Sequence, residues 1–187
     1  GAYMVIDQFT HRNLELTETM REKTKRGSLL GLLDKTKTAM GGRLLKHYIE
    51  QPLLDKKAIQ DRLQAVDELK NDLYLRNELR IALDEIYDIE RLLSRISYGS
   101  LDARDVVAIR SSLHPLPHIK ELLSNCKSEL LLQLAERIDC LQGLYTYLND
   151  SIAEAPPLGI REGGIIKSGF HAEVDKLREA KISGKDW

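Results

Sequence analysis

The stretch DKKAIQDRLQAVDELK, Asp55 to Lys70, decides the fold class. Ile59, Leu63, Val66 and Leu69 recur at intervals of four and three residues. That period matches one face of an α-helix and not the alternation of a strand. Asp55 stands where an N-cap belongs, its carboxylate placed to accept from an amide of the first turn.

The same pattern extends in both directions. Upstream, Ser28 is placed to cap a short helix through Leu33, and Thr38 a longer one carrying Leu44, Leu45, Tyr48 and Ile49, stopped by Pro52. Downstream, Leu79, Leu83 and Ile86 continue the theme, followed by Ile89, Leu92, Leu93 and Ile96 as far as Gly99. Asp102 opens a helix with Val106, Ile109 and Leu113, broken at Pro115 and Pro117. Leu130, Leu131, Leu134 and Ile138 form another stripe, and Leu141, Leu144, Leu148 and Ile152 the next, ending before Pro156-Pro157. The sequence therefore predicts a mainly α chain, a bundle of helices joined by short turns.

Two segments read differently. Tyr3 to Asp7 and Asn13 to Thr17 suggest a small hairpin. Leu158 to Gly169 suggests another, because Gly163-Gly164 tolerates the positive φ of a tight turn. Glu18 to Arg26 reads as a charged loop, and Phe170 to Trp187 as a helix with Phe170, Val174 and Leu177 on one face. If continuous, that helix would span roughly 27 Å. The residues thus read as a helical stretch with small β elements, 1–169, followed by one further helix, 170–187. Gly1-Ala2 and the charged run ending at Trp187 read as the ends of a piece cut from a longer protein.

Composition excludes several classes. The 187 residues include 28 basic and 29 acidic ones, a formal net charge of −1 that argues against a nucleic-acid glove covering the whole chain. No apolar run approaches the roughly 20 residues of a membrane span. Cys126 and Cys140 are too far apart for a C-x-x-C pair and read as reduced cytosolic thiols on helical faces.

Catalytic motifs are sparse. No G-x-x-x-x-G-K followed by Ser or Thr is present, and Gly184-Lys185 precedes Asp186 without an upstream glycine. His171-Ala172-Glu173 lacks the downstream thiols of a deaminase zinc site. His114 and His118 stand four apart, but Pro115 and Pro117 between them argue for a turn, and no third ligand accompanies them. The plainer reading of Asp84, Glu85, Asp88 and Glu90 is a solvated face with partial ion pairing. Arg21, Lys23, Lys25 and Arg26 have no interleaved aromatics and read as a loop, not a phosphate grip. Asn149-Asp150-Ser151 is a formal sequon without meaning for a cytosolic protein. No catalytic, cofactor, metal or nucleic-acid residue is assigned.

Several segments together resemble one family. Tyr3 to Asp7, Thr10 to Leu16, Ser28 to Asp34, Thr38 to Leu45, Gln51 to Asp55, Asp88 to Ile96 and Ile160 to Gly169 follow the order and spacing of the core domain of MutS-type DNA mismatch repair proteins. The resemblance implies a non-catalytic core and the start of a lever helix, residues 170–187, coupling an ATPase domain to a DNA clamp and a mismatch-reading domain. It further implies, for the whole protein, ATP with magnesium, a homodimer on mismatched duplex DNA, the partner MutL, other domains of the same chain, and a bacterial cytoplasmic setting without membrane attachment. The family's mismatch-reading and Walker residues have no counterparts here. The competing reading is an independent helical DNA-binding regulator, disfavoured because the helices carry mixed charges.

Overall fold

The computed structural model describes residues 1–184, so the expectations for Lys185 to Trp187 lie outside the described residues. The order is α1 (Gln8–Asn13), α2 (Leu29–Leu33), α3 (Ala39–Glu50), α4 (Lys56–Asn71), α5 (Leu73–Asp84), α6 (Ile89–Ser97), α7 (Ala103–Leu113), α8 (Leu116–Ser124), α9 (Glu129–Arg137), α10 (Gln142–Ser151) and α11 (Ala172–Ser183), with a 3-10 turn at Ile160–Glu162. The chain is mainly helical, as the periodicity predicts.

The caps explain where helices start. Ser28 Oγ accepts from the Gly31 amide at 3.1 Å, Thr38 Oγ1 from Gly41 at 3.0 Å, and Asp55 Oδ2 from Ala58 at 2.8 Å. Asp102 accepts from the Asp105 amide at 2.8 Å while Asp105 accepts from the Asp102 amide at 3.0 Å, a reciprocal capping box. Each satisfies an amide that has no partner within its own helix.

Sequence reading missed two boundaries. Asp72 ends α4 and caps α5, its Oδ1 accepting from Leu75 at 2.9 Å. Pro115 and Pro117 close α7 but also open α8, since a proline in the first turn removes only an amide that lacked a partner anyway.

The two hairpins are not formed. Asp7 Oδ1 accepts from the Thr10 amide at 2.9 Å and starts α1, which consumes the residues between the expected strands. Tyr3 instead makes an isolated antiparallel bridge to Leu53. Around Gly163-Gly164 both φ angles are positive, +76° and +81°, but ψ of 177° at Gly163 leaves the chain extended instead of closing a tight turn. The residues before them coil into the 3-10 turn. Ile166, after the glycines, bridges to Ile152 at the end of α10. Both short extended segments find more distant partners than a local pattern can reveal.

The described residues fall into two compact units. The first comprises Gly1–Asp88 and Pro115–Asp139. Here α4, α5, α8 and α9 pack around Ala65, Leu75, Leu79, Ile119, Leu123, Leu131 and Ala135. Ala65 is the fully buried position of α4, whereas Leu63 and Val66 of the expected core stripe are 61% and 60% exposed. The small alanine lets neighbouring helices approach closely, and that approach fixes the rotation of α4. Glu68 reaches from α4 to the amides of Lys127 and Ser128, at 2.6 and 2.8 Å, just before α9. Gly31 is required by close packing, for a Cβ there would lie 2.2 Å from the Lys25 carbonyl oxygen.

The second unit comprises Ile89–His114 and the chain from Cys140 onward. In it α7 packs against both α6 and α10. Leu92, Ala103, Leu113, Ser112 and Ser151 are buried there.

Candidate functional site

At the base of α11 the second unit holds the helix by a set of hydrogen bonds, although none of the helix residues is fully buried. Of the expected stripe, Val174 is half-buried, whereas Phe170 and Leu177 are 38% and 72% exposed; Ile182 is 62% exposed. The helix spans 12 residues, about 18 Å in length.

Its attachment is built in steps from α6. Arg95 Nη1 meets Asp105 Oδ1 at 2.6 Å, tying α6 to the first turn of α7. The Asp105 carboxyl is held below its ordinary value by the Asp102 amide first, then, against the opposing effect of burial, by Arg95. One further turn along α7, Arg110 is 8% exposed. Its Nη1 donates to the Ile152 carbonyl at 2.8 Å, and Nη2 to the carbonyls of Ala153 and Glu154 at 3.3 and 3.5 Å. These groups lie at and beyond the C-terminal end of α10, where carbonyls face away from the helix unpaired and carry partial negative charge.

From there the chain reaches the Ile152–Ile166 bridge, held by Ala153 N donating to Ile165 O and Lys167 N donating to Ser151 O, each at 2.8 Å. Lys167 Nζ also donates to the Asn149 carbonyl at 2.6 Å. Arg178 of α11 closes the path: Nη2 donates to the Ile166 carbonyl at 2.9 Å and Nη1 to Ser168 Oγ at 3.2 Å. Asp175 Oδ2 accepts from the Gly169 amide at 2.9 Å, and Phe170 stacks edge-on against Tyr147 of α10, centroids 5.7 Å apart.

Among α6, α7 and α10 the second unit keeps an apolar cavity of about 290 Å³ lined by Leu92, Ile96, Val106, Ile109, Leu144 and Leu148 among others. Leu93 and Ile96, on the same helix, are 56% and 48% exposed.

The residues singled out from sequence are scattered. His114 caps the C-terminal end of α7 in the second unit, its ring 5.8 Å from Tyr145. His118 belongs to the first unit, its Nε2 3.0 Å from Glu78 Oε2. Among the described residues no three His, Cys, Asp or Glu side chains converge as metal ligands. Asp84 pairs with Lys37 at 3.2 Å, and Asp88 takes both guanidinium nitrogens of Arg43 at 2.9 and 2.8 Å. In the charged loop Lys25 pairs with Asp34, whose carboxyl is pulled down to about 2 by Lys25 and then by Thr36. Cys126 is buried in the first core, and burial pushes its thiol up. His171 is exposed ahead of α11. No helix among the described residues is long and apolar enough to cross a membrane.

Sequence reading passed over Arg110, Arg178 and Glu68. For Arg110 a signal existed, since it shares the apolar stripe of α7 with Val106 and Leu113, and a guanidinium on a buried stripe needs acceptors. Nothing local pointed to Glu68 or Arg178.

Comparison with known proteins accords with this architecture. Residues 9–183 match the family model described as MutS domain III. The chain is similar to the DNA mismatch repair protein MutS of Lachnoclostridium phytofermentans, 57% identical over 185 residues, covering 99% of this chain and 20% of that protein. It is 51% identical over 185 residues to MutS of Ruminiclostridium cellulolyticum, and 48% over 185 residues to MutS of Brevibacillus brevis, covering 99% of this chain and 21% and 22% of those proteins. The chain therefore spans about a fifth of the length of these relatives. It belongs to the MutS domain III family.

Proposed function

We propose that this chain is the non-catalytic core and lever base of a MutS-type mismatch repair ATPase, carrying the nucleotide state of an ATPase domain to a DNA clamp. The observation that supports the reading most is the contrast at α11: its first turns are half-buried and tied to the second unit through Asp175 and Arg178, while Glu179 to Ser183 are exposed. A helix held through its first turns and exposed beyond them is suited to move a distant load as a body.

In this reading residues 1–169 form the core and residues 170–187 begin the lever. On the same reading the exposed apolar side chains Leu63, Val66, Leu93 and Leu177 are available to other domains of the longer polypeptide. ATP and magnesium belong to a domain outside these residues, which contain no phosphate-binding loop. The longer protein acts in the bacterial cytoplasm as a homodimer on mismatched duplex DNA and engages MutL.

The test is a short oligoglycine inserted between Gly169 and Phe170 in the longer protein. Mismatch binding and ATP hydrolysis should each survive, while the ATP-driven change in DNA affinity should shrink severalfold. An unchanged ATP-driven shift in DNA affinity would overturn the reading.

A further inference from the structure

The Ile152–Ile166 bridge is a single antiparallel contact, too small to be stable alone. Its two ladder bonds, Ala153 N to Ile165 O and Lys167 N to Ser151 O, flank Ile152 and Ile166 rather than joining them. The carbonyls of that central pair therefore point outward, one to each edge. Each edge is taken by an arginine: Arg110 from α7 holds the Ile152 carbonyl, and Arg178 from α11 holds that of Ile166.

We propose that Arg110 and Arg178 are paired positioning residues that fix the direction in which α11 leaves the second unit. The proposal rests on the reading of α11 as a lever and supplies the joint that reading requires. The carbonyl acceptors are neutral, and Arg178 Nη1 lies in addition 3.8 Å from the Asp175 carboxylate on its own helix. The guanidinium plane matters as well as its charge. Arg110 spans three successive carbonyls, Ile152 to Glu154, which a lysine ammonium cannot grip as a rigid fork. Arg178 likewise reaches Ile166 and Ser168 with separate nitrogens. A chain of fixed bodies results: α7, the end of α10, the bridge, and α11. Angular freedom of about 10° at this joint would displace the far end of the roughly 18 Å helix by about 3 Å.

Pulsed-EPR distances between spin labels at the exposed positions Arg104 on α7 and Glu179 on α11 read the joint directly. In the otherwise unaltered chain the distribution should be narrow. Arg110→Met and Arg178→Met should each broaden it at least twofold with helicity retained, and Arg110→Lys should fall between. Leu92→Ala, a core truncation in the same unit, should lower stability without broadening. Should Arg110→Met fail to fold, Arg110→Lys and Arg178→Met decide. Unchanged widths in the folded arginine variants would overturn the proposal, as would equal broadening by Leu92→Ala. Carrying Arg178→Met into the longer protein separates the two ideas. A broadened joint with intact ATP-dependent DNA release leaves the clasp standing and sinks the lever reading, whereas an unbroadened joint sinks the clasp whatever the release does.

Discussion

Glu68 offers a sharp test of how the first unit is held together. Burial raises its carboxyl, but hydrogen bonds from the Lys127 and Ser128 amides outweigh it and leave the group below its ordinary value of 4.5. Ser128 makes no side-chain cap of its own, so Glu68 supplies from another helix the acceptor that the start of α9 would otherwise lack. Hydrogen bonds to a charged group contribute roughly 1.5–3 kcal/mol each, and partial exposure favours the low end. Glu68→Ala loses both and should cost about 2–3 kcal/mol, whereas Glu68→Gln keeps one acceptor oxygen and should cost about 1 kcal/mol. Amide hydrogen exchange in α9 should then speed up by roughly 30- to 150-fold for Ala and about fivefold for Gln, while α7 in the other unit is unaffected. Because the folded carboxyl titrates below the unfolded one, its contribution is complete above pH 4.5 and fades as pH falls through the folded value. The difference between the parent chain and Glu68→Gln should therefore close in acid. Unchanged exchange at α9 in Glu68→Ala, or a difference that persists undiminished in acid, would refute the reasoning.

Three other substitutions and labels probe the packing. Gly31→Ala would force a Cβ against the Lys25 carbonyl and should destabilise the first unit by about 1–3 kcal/mol, read by urea unfolding. Leu131→Ala, at a position 5% exposed, should cost about 2–5 kcal/mol in the same assay. Thiol titration should show Cys140 reacting in the folded chain while Cys126, buried and with its thiol pushed up, reacts only on unfolding.

Much of the helical frame was legible because its signals are local. Ser28, Thr38, Asp55 and Asp102 each cap within three residues, and an acceptor at that distance can be read from the chain directly. Other features depend on partners far away in sequence. The rotation of α4 follows from close packing at Ala65, and hydrophobicity alone pointed to Leu63 and Val66 instead. Ile166 pairs across 14 residues with Ile152, so the positive φ expected at Gly163-Gly164 is present while the tight turn and strand partner expected there are not. Arg110 touches carbonyls 42 to 44 residues away, and no spacing rule reaches so far. The joint at α11 is for that reason visible only in three dimensions, although the family itself was legible from its ordered motifs.

The most direct test places the Arg104 and Glu179 labels in the longer protein bound to mismatched DNA, and compares the distance with and without ATP. If the second unit and α11 move as one body, that distance should remain the same and narrow in both states while a label pair reaching the DNA clamp changes. A shift or broadening of the Arg104–Glu179 distance on ATP binding would show that the base of α11 bends or melts, and would contradict transmission by a rigid lever.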